Sequence, residues 1–244
     1  MPALCRDCLH RAEAAFARCP ACGSRRAAGP AAGVQTKRGC PFSCIYCTYP
    51  LVEGAAVRVR AASDVADEFQ DLHDRFGAKT AYIVDSQFNY PADHAGSVCE
   101  ELVSRRDRCK IRWSCMANPG FMEDDLALFM RAARCEMVDL SVESGCDSML
   151  ENLGKNFSTD DVRRAFKALE RAGLPFDAWI LLGGPGETRQ TVCETLDFLE
   201  SAGAANVIFS VGIRICPGTG IERVARAEGV LPFRLPEVTR ADRA

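Results

Sequence analysis

From Val34 onward, short apolar runs alternate with longer stretches in which apolar residues return every three or four positions. The short runs predict strands at 34–38, 80–84, 110–115, 137–142, 176–182 and 206–213. The longer stretches predict amphipathic helices at 64–76, 93–108, 123–133, 159–172 and 187–202, where one face repeats with the helical period. Ser63 is placed to cap the first helix, and Ser158 with Asp161 has the form of a capping box. Gly77, Gly173 and Gly203 stand just past helix ends, where a left-handed residue closes the last turn. Strand–helix alternation of this kind predicts an α/β fold with a parallel sheet of βα units. In such sheets reactive groups collect at the carboxyl ends of the strands.

The alternating region spans 34–230. Ahead of it lie a cysteine-rich segment at 1–26 and a Gly/Pro-punctuated linker at 27–33, and after it a charged, Pro-containing tail at 231–244. Hydrophobic residues at 48% and charged residues at 26% are ordinary for a globular protein. The net charge of −3 hides an asymmetry. Residues 1–38 carry seven basic residues against two acids, a net +5, so the remainder carries −8. A basic head on an acidic body suits an anionic partner for the head, or simply a solvated surface. No stretch is apolar for long enough to cross a membrane or to open the chain as a secretory signal.

Fourteen cysteines make this a cysteine-heavy chain, and without a secretory signal clustered cysteines point to metal and a reducing cytoplasm. Cys5, Cys8, Cys19 and Cys22 form two C-x2-C pairs, the second followed by Gly23. Two such knuckles can close a tetrahedral four-sulfur site, which suits zinc first and rubredoxin-like iron second. The segment is too short to bury a core, so the metal would supply its folding energy, and with four protein ligands it would have no open position for chemistry. Seven further cysteines are scattered singly and read as small buried hydrophobes.

The most informative pattern is Cys40-Pro-Phe-Ser-Cys44-Ile-Tyr-Cys47. Zinc knuckles use pairs, whereas this triplet presents three thiolates on one loop, enough for three corners of a 4Fe-4S cluster. The run resembles the cluster loop of the radical S-adenosylmethionine (SAM) superfamily, C-x3-C-x-aromatic-C, with Tyr46 at the aromatic position. The resemblance covers 34–220 and implies a partial (β/α)6 barrel, a 4Fe-4S cluster on Cys40, Cys44 and Cys47, and SAM chelated by its open iron. An electron donor such as flavodoxin or ferredoxin would reduce the cluster.

Other strand ends carry motifs that the same resemblance assigns to SAM. Asp85 and Ser86 follow the second strand, where the family contacts the SAM ammonium; a solvated loop acid is the alternative for Asp85. Glu143 and Ser144 end the fourth strand, where the family's carboxylate meets the ribose or amino group, although Glu143 could instead form an internal salt bridge. Gly183, Gly184, Gly186 and Glu187 close the fifth strand, where backbone groups contact adenine. Arg214, after the sixth, could bind a carboxylate of SAM or substrate, or equally pair with Glu143. Asn118 is placed to face the site, while Trp113 and Met116 read as packing residues.

The run Lys-Arg-Gly-Cys-Pro-Phe-Ser-Cys-Ile-Tyr-Cys looks most like the branch holding cobalamin-associated enzymes and methylthiotransferases. The expected departures from that branch are that no cobalamin-binding pattern and no second three-cysteine set stand ahead of the barrel in these residues. The expectation is therefore reductive SAM cleavage to a 5′-deoxyadenosyl radical that takes hydrogen from a small-molecule or peptide substrate. The alternatives are a methyltransferase or methylthiotransferase-like enzyme acting with a partner, and a non-enzymatic metal-binding adaptor.

Overall fold

A computed structural model describes residues 31–231 and three short strands nearer the amino end. Those strands, β1 (Ala3–Cys5), β2 (Arg11–Ala12) and β3 (Ala27–Ala28), pair antiparallel in the order β2-β1-β3. Of the four head cysteines, Cys8, Cys19 and Cys22 lie outside the described residues, and Cys5 is described only as the end of β1.

The main sheet begins at β4 (Ala31–Val34). A two-stranded ribbon follows, β5 (Lys37–Arg38) against β6 (Arg58–Val59), with the short helix α1 (Tyr49–Val52) between them. After α2 (Ala62–Phe76) the chain alternates strand and helix: β7 (Thr80–Ile83), α3 (Ala92–Ser104), β8 (Arg112–Ala117), α4 (Asp124–Ala132) and β9 (Cys135–Glu143). Then come α5 (Asp147–Asn152), α6 (Thr159–Arg171), β10 (Phe176–Leu182), α7 (Arg189–Ala202), β11 (Val207–Val211) and α8 (Gly220–Ala227). The six sheet strands run in the order β11-β10-β9-β8-β7-β4, and every neighbouring pair is parallel. Helical crossovers between parallel neighbours bring all the carboxyl ends to one edge.

The helices form where their apolar stripes meet the sheet. In α6 the buried residues Val162, Ala165, Phe166 and Leu169 recur at helical spacing, and Ser158 with Asp161 closes the expected capping box. Gly77 and Gly203 take the left-handed caps of α2 and α7. Trp113 lies fully buried in the core, edge-on to Phe88 at 5.1 Å, with its indole N–H donated to Ala133 at 2.7 Å. Satisfying that N–H lets the largest side chain sit in the core without a polar penalty.

Three sequence expectations change. The first sheet strand is Ala31–Val34, whose first three residues fall in the stretch expected as linker, and 34–38 divides into its end and the start of the ribbon. Small residues make 31–33 a poor strand signal, yet it pairs in register with β7, Gly33 opposite Tyr82. Ser63 lies within the first turn of α2 and caps nothing; the N-cap is Ala61. Among the scattered cysteines Cys99, Cys109, Cys115, Cys135 and Cys146 are buried as expected, but Cys193 is exposed and Cys216 half-buried.

Candidate active site

The cysteine loop leaves the ribbon at Gly39, and the surroundings of that residue require glycine. Its φ is +95°, its N–H is donated to Glu53 Oε2 at 3.0 Å, and an added Cβ would stand 2.1 Å from the Ala56 oxygen. Cys40 then donates its N–H to Gly54 at 3.1 Å, and the Cys47 N–H turns back to the Cys44 oxygen at 3.1 Å. Beyond Cys44, Ile45 is held from both sides. Its N–H bonds Leu153 after α5 at 3.0 Å, and its oxygen accepts from Ile221 in α8 at 2.7 Å. A loop of unlike residues is thus fixed by backbone bonds to three separate parts of the fold.

Cys40, Cys44 and Cys47 all line one cavity of about 210 Å³ at the carboxyl edge of the sheet. None is in a disulfide. Burial pushes the Cys44 and Cys47 thiols above their ordinary value; the nearby Lys155 charge works the other way at Cys44, and a backbone hydrogen bond does so at Cys47. Among the described residues no three such side chains converge as ligands of one metal ion. A 4Fe-4S cube takes its thiolates on three separate irons, so its donors stand farther apart than those of one zinc. The donor set therefore fits the cube by type, number and common cavity.

The opposite wall is built by β9. Between β9 and β10 the register slips, with Trp179 opposite Ser141 and Ile180 opposite Glu143, so Val142 is an extra residue. Such a bulge re-aims the side chain that follows. Glu143 takes φ +67°, a left-handed conformation that costs a non-glycine residue about 1–2 kcal/mol. Two contacts hold it. Tyr46 donates its hydroxyl to Glu143 Oε1 at 2.7 Å, and Lys155 approaches the same oxygen at 3.4 Å and the Tyr46 oxygen at 3.2 Å. Burial, then the Glu143 charge, drives the Tyr46 hydroxyl far above its ordinary value, so it remains a donor at neutral pH. Glu143 Oε2 takes no partner among the described residues.

The remaining wall comes from the ends of β7, β8, β10 and β11, with Ser86, Gln87, Met116, Asn118, Trp179 and Ser210 among its residues. Gln87 donates to Ser141 at 3.2 Å, leaving its Oε1 buried with no partner. Gln87 is thus a cavity-lining side chain whose acceptor is unmet, and an unmet buried acceptor calls for a donor.

Several expected residues lie elsewhere. Asp85 does not face the cavity: its side chain is wholly inaccessible and pairs with Lys37 Nζ at 2.8 Å. It also accepts from the Thr36 N–H at 2.8 Å, the Thr36 hydroxyl at 2.5 Å and the Lys37 N–H at 3.3 Å, so it has no valence left for SAM. Ser144 is buried beyond β9, its hydroxyl shared with Thr195 at 2.9 Å and accepting from the Cys146 N–H. The partner of Glu143 is Lys155 rather than Arg214, which is exposed and outside the cavity lining. Gly183, Gly184 and Gly186 do not line the cavity either. Gly183 donates its N–H to Glu187, Gly184 packs on Met149, and Gly186 on Asn152. Met116, expected only to pack, lines the cavity as Asn118 does.

The sequence profile of the Radical SAM superfamily matches residues 34–199. A tryptophan 2-C-methyltransferase of Streptomyces laurentii is 26% identical over 220 residues, covering 84% of this chain and 37% of that protein. An uncharacterised methyltransferase of Pyrococcus horikoshii is 27% identical over 198 residues, covering 81% and 42%. Among solved structures, the radical S-adenosylmethionine methyltransferase TsrM from Kitasatospora setae, with cobalamin and a 4Fe-4S cluster bound, superposes with a TM-score of 0.75 at 27% identity. That alignment covers 83% of this chain and 41% of TsrM. The chain thus spans roughly two fifths of the length of these relatives.

Proposed function

The chain belongs to the radical SAM superfamily, and from that premise we propose that residues 31–231 form a core that cleaves SAM reductively and abstracts hydrogen from a bound substrate. The observation that carries this reading is the shared cavity. Three cysteines free of disulfides, Glu143 and Gln87 all line it, and Glu143 Oε2 and Gln87 Oε1 have no hydrogen-bond partner among the described residues. When bound, the cluster would supply the electron for reductive cleavage of SAM, and so the radical equivalent that takes a hydrogen from substrate.

The chain's own residues bind, orient and exclude water. Cys40, Cys44 and Cys47 hold the cluster as thiolates. Gln87 Oε1, Glu143 Oε2 and Ser86 accept from the ammonium and hydroxyl groups of SAM; Asp85 does not. Lys155 lies between Tyr46 and Glu143 and keeps the strained carboxylate aimed at the cavity. Met116, Trp179, Ile180 and Leu181 supply the apolar wall that keeps water from a reactive intermediate. The cysteine-rich head enters as a four-cysteine metal clip on its spacing alone. The thiolates require a reducing compartment such as the cytoplasm, with an electron donor of the flavodoxin or ferredoxin kind.

Methyl transfer with cobalamin is a second reading, favoured by the TsrM structure and by the two methyltransferases among the relatives. Product analysis separates the two. After anaerobic reconstitution and reduction, 5′-deoxyadenosine supports hydrogen abstraction. S-adenosylhomocysteine that appears only with added cobalamin supports methyl transfer. A reduced, cluster-loaded protein that binds no SAM contradicts both.

A further inference from the structure

At the other end of the sheet from the cysteine loop, the starts of β8 and β9 meet the ends of α3 and α4 around a second concavity of about 300 Å³. Arg106, Arg112, Arg131 and Arg134 line it, with Glu136 the one acid among the lining residues. Arg112 pairs with Glu136 at 2.8 Å, and Arg134 reaches the Arg106 backbone oxygen at 3.2 Å. Arg106 and Arg131 have no carboxylate partner among the described residues. The Nε of Arg134 is buried and makes no hydrogen bond.

Helix ends account for part of this charge. The last turns of α3 and α4 each present roughly −0.5 of a charge, which offsets one arginine. Glu136 offsets a second. A surplus of about two positive charges remains, in a chain whose residues from Gly39 onward carry a net −8. Among the described residues no other carboxylate pairs with these arginines, and crowding like charges is unfavourable without a counter-charge.

We propose that this concavity binds a phosphate-type dianion. Guanidinium forks match phosphate oxygens two at a time, and Arg106 and Arg131 have theirs free of any carboxylate among the described residues. The group could be free phosphate or the phosphate of a nucleotide. This site is separate from the cysteine cavity and does not depend on the reaction proposed there.

Calorimetric titration of the full chain with inorganic phosphate and with adenosine 5′-monophosphate tests it. Equal saturable binding of both assigns the site to the phosphate alone, and tighter binding of the monophosphate assigns it to a nucleotide. Arg131→Ala removes an exposed residue, leaves the core intact, and weakens binding by about tenfold, or ~1.4 kcal/mol. Glu136→Gln removes the opposing charge and releases Arg112, so it tightens binding. Arg164→Ala, an exposed arginine of α6 with the same change in net charge, leaves binding unaltered. Absence of saturable binding by either probe, or equal weakening by Arg131→Ala and Arg164→Ala, overturns the proposal.

Discussion

Replacing Asp85 by alanine should unfold this protein more readily and should do so through Lys37. Both side chains are essentially inaccessible, at 0% and 2%, and their charges stand 2.8 Å apart. Burial lowers the pKa of the Lys37 ammonium from its ordinary value, and the Asp85 charge opposes that shift. Without Asp85, the Lys37 ammonium keeps one hydrogen-bond acceptor, the Phe88 backbone oxygen at 3.1 Å, and the Phe88 ring 5.8 Å away, and the Thr36 N–H loses its acceptor. Leaving one member of a buried pair uncompensated costs ~3–5 kcal/mol. For a chain of this size that lowers the melting temperature by roughly 6–20 °C. Lys37→Met should cost less, about 1–3 kcal/mol, because Asp85 keeps its three donors from Thr36 and the Lys37 backbone. The double variant removes both charges, so its loss should fall short of the sum of the singles by about 1–3 kcal/mol. Anaerobic urea unfolding followed by circular dichroism gives all four stabilities at matched cluster content. Were Asp85 a SAM ligand, its alanine variant would melt with the native protein and only bind SAM more weakly. That result, or strict additivity in the cycle, would refute the buried-pair account.

Other perturbations probe the site from different sides. Gly39→Ala places a Cβ against the Ala56 oxygen at a φ of +95°, which should cost ~2–4 kcal/mol and lower the iron bound per chain in a reconstitution assay. Tyr46→Phe removes the hydroxyl that holds Glu143 Oε1; SAM affinity should fall about tenfold, the equivalent of one hydrogen bond to a charged group, with the melting temperature little changed. His94 donates Nε2–H to Thr36, whose only hydroxyl proton is given to Asp85. Burial, then the Lys37 charge, lowers the His94 pKa from 6.5. Its contribution to stability is therefore present above pH 6.5 and is lost as the pH falls through the folded-state value. His94→Gln should flatten that acid limb in urea unfolding measured at a series of pH values.

Local signals made much of this fold legible. The capping box of α6 and the glycines after α2 and α7 are short-range chemistry and lie where the sequence placed them. The cysteine loop was legible for the same reason, since spacing on one loop decides whether three thiols can share a cavity. What escaped depends on contacts between distant residues. Lys155 carries no motif, and only the fold brings it 3.4 Å from Glu143, twelve residues back in the sequence and across α5. Asp85 read as a ligand because it follows a strand. Its partner Lys37, on the ribbon before the cysteine loop, lies 48 residues away in sequence. Gln87 went unremarked because an orphaned acceptor is a property of packing. The strand at 31–33 was hidden by Ala and Gly, whose weak propensity is overridden by pairing with β7.

The most direct test of the central claim is electron paramagnetic resonance of the reduced, reconstituted protein with and without SAM, beside a Cys40→Ala/Cys44→Ala/Cys47→Ala variant. The shared cavity predicts a 4Fe-4S signal in the native protein that changes on SAM addition, and no such signal in the variant. A native signal indifferent to SAM, or a variant that still assembles the same cluster, would contradict the account.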